Sequence, residues 1–428
     1  MKTNNTILFS ENNFHCASPH NITENEWIFY YNFVWCVEGF GSVLTGCLGI
    51  TFNIITIFVL LKSELAASFF NWLLVSLSIL ESLFLICGIL EAFRSHIGST
   101  NLHNYLFVVF FYPFRSVLMC CSIYTTIMLA LERYNALVNP THHQVTIGLT
   151  RPSAGRHSLK VYFNWHWNRL LKYIGPIILF STIFYIPKWL ELDVNYHKLC
   201  NGSTSIQNHS LTNVSKCVSA YDISITDLRT DNHYNLWYIN LFNIIITAVI
   251  PLVMLTYLNV NICIKLKAYI ERQPLPKIEL LNTTRGGGNI THSREIKNKR
   301  EKDMIQQARI LYSIVILFGM FHILRIVLNI EEFVTLERRK VVEGRGCVWL
   351  QYWTIIAAPV SHLLLQINSS VNFVIYCCFN KSFRIELCSL LTSCFNILKF
   401  KTNSRTQSIN INDPISNINN PPPIHQSL

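Results

Sequence analysis

The stretch FFNWLLVSLSILESLFLICGILEAF, residues 69–93, carries only two charged side chains, Glu81 and Glu91. A helix needs about 20 mainly apolar residues to cross the hydrocarbon of a bilayer, where an open backbone finds no hydrogen bonds. This block meets that length and lacks the polar face on which a soluble helix would rest. Working outward, six further blocks read the same way: Val34–Leu61, Tyr105–Leu131, Leu170–Pro187, Leu236–Ile264, Ala308–Leu328 and Trp349–Tyr376. The block from Leu170 is the weakest, since it opens beside Arg169 and Lys172 and contains Pro176. Together they predict an all-α fold, a bundle of seven transmembrane helices.

Composition agrees. Of 428 residues, 50% are hydrophobic and 14% charged, against roughly a quarter charged in a soluble domain. A net charge of +11 would suit a nucleic-acid binder, but the basic residues are confined between apolar blocks, which argues against nucleic acid as a partner. With the N-terminus outside, 22 of the 35 Lys and Arg fall on inner loops and tail and 10 on outer segments, as the positive-inside rule requires. The expectation is a multi-pass plasma-membrane protein with an extracellular N-terminus. The opening MKTNNTILFSENNF has no basic region followed by an apolar run, so the first span is expected to act as the insertion signal.

The chain then divides into an extracellular segment (1–33), a seven-span domain with a short inner helix (34–398) and a disordered cytoplasmic tail (399–428). Sequons at Asn4, Asn21, Asn201, Asn208 and Asn213 fall on the outer side and are glycosylation candidates. The inner loop around Arg285-Gly286-Gly287-Gly288 has no apolar period and is expected to be mobile. Beyond the seventh block, Phe383, Leu387, Leu391 and Phe395 recur every four residues, which predicts an amphipathic helix on the inner membrane surface. Cys388 and Cys394 there are candidates for S-acylation.

The chemistry sits at helix ends. Glu132-Arg133-Tyr134 closes the third block, and an acid beside an Arg at the lipid edge is expected to be held as a neutral pair until a partner helix arrives. The seventh block carries Asn368-Ser369-Ser370-Val371-Asn372-Phe373-Val374-Ile375-Tyr376, in which Asn372 and Tyr376 lie one turn apart and can face the bundle interior. Asn53 and Glu81 are polar groups at membrane depth in the first two blocks, where an ionisable residue is functional by default.

These motifs resemble those of rhodopsin-like G-protein-coupled receptors: the acid-Arg-Tyr triplet, an Asn-Pro-x-x-Tyr motif with Phe373 in place of Pro, and the interior Asn and Asp positions held by Asn53 and Glu81. Finer stretches look like receptors for FMRFamide-type neuropeptides, namely Ser122-Ile123-Tyr124-Thr125-Thr126, Phe184-Tyr185-Ile186-Pro187-Lys188, Leu258-Asn259 and Phe383-Arg384. The resemblance covers roughly Val34 to Leu398. It implies a cell-surface receptor whose partners are an extracellular peptide, a heterotrimeric G protein and the bilayer. Glu132, Arg133, Tyr134, Asn259, Asn372 and Tyr376 would serve coupling and activation, and Asn53, Glu81 and Asn368 an interior polar network.

Against that family, Leu324 stands where span six usually has Pro, which leaves the helix straighter and its usual pivot in question. Glu81 is longer than the usual Asp, which puts sodium binding in doubt. Val108 occupies the position of the span-three Cys that normally ties to the second outer loop. Cys200 and Cys217 are then candidates for a bridge within that loop, contributing about 3 kcal/mol by loop closure; Cys16 with Cys347 is another pairing. Gln366 in place of the Schiff-base Lys argues against an opsin, and Arg115 in place of the ammonium-pairing Asp argues against an amine receptor.

A peptide ending in Arg-Phe-amide needs a carboxylate for its guanidinium and an aromatic wall for its ring. Ligand-binding candidates are Glu91 and Glu331 for the first, Phe111, Tyr112, Trp349 and Trp353 for the second, and Arg115 for carbonyl or anionic groups. No phosphate loop, HExxH or Cys-x-x-Cys occurs, so neither an enzyme nor a cofactor is expected. The alternatives are a helical transporter or channel, which would show charges along one aqueous path, and a degenerate receptor that no longer couples.

Overall fold

The computed structural model describes residues 24–62, 65–66, 68–98, 100–138, 159–202, 215–271, 288–343, 351–393 and 396. Six helices are long and apolar enough to cross a membrane: span one Asn25–Leu60, span two Phe69–His96, span three Asn101–Val138, span four His166–Leu190, span five Tyr234–Ala268 and span six Ile305–Thr335. Span seven is a pair, Tyr352–Ser370 and Asn372–Phe379, bent by 42° at the break. The chain is a multi-pass membrane protein of the all-α class. Among the described residues it has one sheet, the antiparallel hairpin of β1 (Leu192–Gly202) and β2 (Ser215–Ile225).

Spans three to six outrun their apolar blocks at both ends, because a helix keeps its hydrogen bonds after hydropathy has dropped. Span six shows this best. It belongs to one unbroken helix from Gly288 to Glu343. Part of the inner segment expected to be mobile is therefore helical, and Leu324 in place of a proline keeps the carbonyl ladder whole. In the unit that begins at Lys381, residues 381–393 are helical, where an amphipathic helix was expected. Cys388 is exposed on it, while Cys394 lies outside the described residues.

Spans one, two and three form the tight side of the bundle. Leu73, Leu77 and Leu85 of span two and Leu129 of span three are among the most deeply buried side chains. Gly46 and Gly49 let span one approach: a Cβ on Gly46 would stand 2.6 Å from Ile89 Cγ1, and one on Gly49 would overlap Ser370 and Leu85. Small residues at helix contacts do this work in lipid, where apolar side chains gain little by leaving their surroundings. Phe58, Leu179, Ile183, Val253, Tyr257, Met320 and Ile323 point outward, as a lipid-facing surface should.

The bend in span seven falls at Val371, with no proline at the break. Ser370 Oγ donates to Gln366 O at 2.9 Å and to Thr45 O of span one at 3.3 Å. Asn53 Nδ2 of span one donates to Ser369 O at 3.2 Å. Side chains thus satisfy carbonyls of the turn just before the break, and such insertion into the ladder bends a helix.

The two ends of the bundle differ in helical winding. Five π-helical stretches, Trp35–Gly41, Phe93–Ile97, Phe107–Phe111, Tyr234–Phe242 and Ile245–Val249, lie in the halves of spans one, two, three and five on the hairpin side. The opposite halves, which lead to Arg133, are α-helical. π-turns turn side chains out of their α-helical register and often accompany functional sites.

Candidate functional site

At the end that carries Arg133, polar groups are closed onto one another. Glu132 is buried and pairs with Arg169 Nη2 of span four at 3.1 Å. Arg133 Nη1 donates to Gln307 Oε1 of span six at 2.6 Å, and its guanidinium lies 3.7 Å over the Phe70 ring. Glu132 and Arg133 are each engaged by a different span. Adjacent residues on a helix diverge by about 100°, so the acid faces span four and the base faces span six. Arg169, the charge that made the fourth block look weak, neutralises Glu132 and lies 4.1 Å over Phe69. The cavity between Arg133, Ile262 and Gln307 is only 20 Å³.

Behind it lies a packed layer of Ile123, Ile127, Ala130, Leu255, Leu258 and Phe318, against which Tyr134 also packs. Asn259 is buried and donates to Leu255 O of its own helix at 2.8 Å. Further along the interior, Asn372 Nδ2 donates to Glu81 Oε1 at 2.6 Å, both groups buried. With the Asn53–Ser369 bond, this joins spans one, two and seven. Tyr376 is buried close by, only 1% exposed. Asn368 is half-buried and makes none of these bonds.

The hairpin end is open. A cavity of 570 Å³ lies between spans three, five, six and seven, lined by Tyr112, Lys188, Arg229, Arg325, Glu331 and Glu332 among others. A smaller one of 110 Å³ lies between spans one, two, three and seven, lined by Glu38, Glu91, His96, Arg115 and His362. His362 lines both.

Between span three and the hairpin sits a buried carboxylate, Glu191, with no exposed surface. It accepts from Tyr112 OH, from Lys188 Nζ at 2.9 Å and from Tyr234 OH at 2.8 Å, and Arg229 Nη1 stands 3.8 Å away. Val108, the residue at the position of the usual span-three cysteine, is buried one turn before Tyr112. The Glu191 cluster therefore ties span three to the start of β1. The hairpin register sets Cys200 directly opposite Cys217. Directly opposed residues have Cα atoms about 4.5–5.5 Å apart, inside the window for a disulfide.

The structure separates the seven ligand candidates. Tyr112 and Glu331 line the large cavity. Glu91 and Arg115 line the small one and pair with each other, which neutralises both. Phe111 makes an edge contact with His103 and is not among the cavity residues, Trp353 is 44% exposed with its Nε1 on Gln351, and Trp349 lies outside the described residues. Among the glycosylation candidates, Asn201 falls on β1, and Asn4, Asn21, Asn208 and Asn213 lie outside the described residues. The residues missed from sequence are Glu191, Lys188, Arg229 and Arg325 around the large cavity, and Arg169 and Gln307 at the other end. Charges inside apolar blocks were the available signal for Arg169 and Arg325; little local signal marked Glu191.

No family model matches the chain. It is 27% identical over 352 residues, 80% of its length, to a protein named FMRFamide receptor from Drosophila melanogaster. The match takes in 51% of that relative, so the chain spans about half the length of the curated protein it resembles. A multi-pass helical bundle, closed at one end and open at the other, is thus similar over most of its length to a protein named FMRFamide receptor.

Proposed function

We propose that this chain is a cell-surface receptor of the rhodopsin-like class, that its ligand is a neuropeptide of the amidated FMRFamide type, and that it signals through a heterotrimeric G protein. The observation that carries the reading is the asymmetry of the bundle, in a chain similar to an FMRFamide receptor: 570 Å³ open at the hairpin end against 20 Å³ at Arg133. The large cavity is of the size that encloses small ligands or the end of a peptide, roughly 300–1,000 Å³. Its acids, Glu331 and Glu332, suit a guanidinium, and Tyr112 suits a ring.

In this reading the hairpin end faces outward and carries the N-terminal segment, with a Cys200–Cys217 bridge across the strands. The peptide binds one bundle packing better than another and so shifts their populations. The packed layer at Phe318 and Leu255 transmits the shift, Arg133 leaves Gln307, and the freed guanidinium meets the G protein. A transporter would need a continuous polar path, and the apolar layer between the cavity and Arg133 argues against one.

The test is a cell expressing the receptor with a promiscuous G protein and a calcium reporter, given amidated Arg-Phe peptides and their free acids. A dose-dependent response to the amides is expected. Silence from a receptor confirmed at the surface would overturn the ligand assignment and favour a receptor that does not couple.

A further inference from the structure

Three cations line the large cavity, and two of them are spoken for. Lys188 and Arg229 both stand on Glu191 Oε2, at 2.9 and 3.8 Å. In the small cavity Arg115 has Glu91. Arg325 makes no hydrogen bond or ion pair with any described residue, and its Nε atom is buried with no partner. Arg325 is only partly buried and lines the cavity, so the rest of its guanidinium is placed to meet an acceptor there.

The helix sets what that acceptor belongs to. Glu331 and Glu332 stand six and seven residues beyond Arg325 on the same helix and line the same cavity, which places them about 10 Å nearer its mouth at 1.5 Å rise per residue. An extended Arg-Phe-amide unit puts roughly 10 Å between its guanidinium and its terminal carbonyl, one 3.8 Å Cα step plus the arginine side chain. Asn329, one turn above Arg325, also lines the cavity and offers an oxygen to a carboxamide NH2. A guanidinium fork pairs with both oxygens of a carboxylate, and with a carboxamide through its carbonyl oxygen, whose two lone pairs accept.

We infer that Arg325 is the deep anchor of the cavity and takes the planar carbonyl-bearing C-terminus of the ligand, with the ligand's cationic side chain toward the acidic rim. This rests on the peptide-receptor reading but is tested without signalling. The full-length receptor in nanodiscs is melted alone and with millimolar N-acetyl-phenylalaninamide or N-acetyl-phenylalanine, as wild type and as Arg325→Gln. Wild type is expected to gain a few degrees with at least one probe, and the variant to gain none. The amide raising the midpoint identifies a carboxamide terminus; the acid alone raising it identifies a carboxylate terminus.

A second measurement guards against a merely structural role. Without probe, Arg325→Met is expected to melt at or above wild type, because it removes an uncompensated charge. No shift with either probe in wild type, an equal shift in Arg325→Gln, or a clear fall in the probe-free midpoint of Arg325→Met would each overturn the inference. Silence of the cellular assay beside a probe shift lost in Arg325→Gln would discard the amidated-peptide reading and leave the anchor standing.

Discussion

The two ends of the bundle hold polar groups in opposite ways. At the Arg133 end each charge is answered by another span, Glu132 by Arg169 and Arg133 by Gln307, and two phenylalanine rings cover the guanidinium groups. At the hairpin end the charges ring two cavities, the helices carry π-turns, and Arg325 has no acceptor. Arg133 also leaves its Nε unbonded, but its Nη1 and its face are both engaged. Closed polar contacts between spans are latches, and open ones are places for a ligand. The difference teaches which end waits for something from outside the chain.

The comparison breaks most readily at Glu191, the exception that is closed although it lies at the open end. Glu191→Ala would leave Lys188 and Arg229, whose side chains are 12% and 33% exposed, together without their carboxylate, which destabilises by up to about 3 kcal/mol. A large fall in the melting midpoint, with loss of surface expression, is expected. An unchanged midpoint would mean that the cluster does not tie span three to the hairpin.

Next in size is the hairpin itself. Cys200→Ser and Cys217→Ser are each expected to lose about 3 kcal/mol, the loop-closure estimate. The double variant should lose no more than either single one. Additive losses would show two independent thiols in place of a bridge.

At the closed end, Gln307→Ala removes the acceptor that holds Arg133. A hydrogen bond to a charged group is worth about 1.5–3 kcal/mol, so ligand-independent signalling should rise about tenfold or more in a nucleotide-exchange assay. The smallest effect is expected from Asn53→Ala, about 1 kcal/mol in stability for one neutral bond. Its diagnostic is a less bent span seven, read as a spin-label distance across the break.

Much of the fold was legible because apolar length is a one-dimensional property. All seven blocks became spans, the fourth included, and its awkward Arg169 proved to be the partner of Glu132. The bend in span seven was less legible. Its cause is Asn53 of span one reaching the Ser369 carbonyl, a contact across 316 residues of sequence. For the site, motif positions were legible and partners were not. Glu132-Arg133 reads as a pair along the chain, yet helical geometry sends the two side chains to different neighbours. Glu91 and Arg115 each look available for a ligand until the structure places them against each other. Glu191 carries little local signal, since only Lys188 is near it in sequence and its other partners come from span three, the segment before span five and the first residue of that span.

The central claim is that a peptide enters the large cavity. The direct measurement places a photo-crosslinking amino acid at Ser116 or Asn329, which line that cavity, and at Phe111 or Trp353, which do not, then irradiates with labelled Phe-Met-Arg-Phe-amide. Labelled receptor from the two cavity positions and none from the other two is the predicted result. Labelling confined to Phe111 or Trp353, or absent everywhere in cells that respond to the peptide, would contradict it.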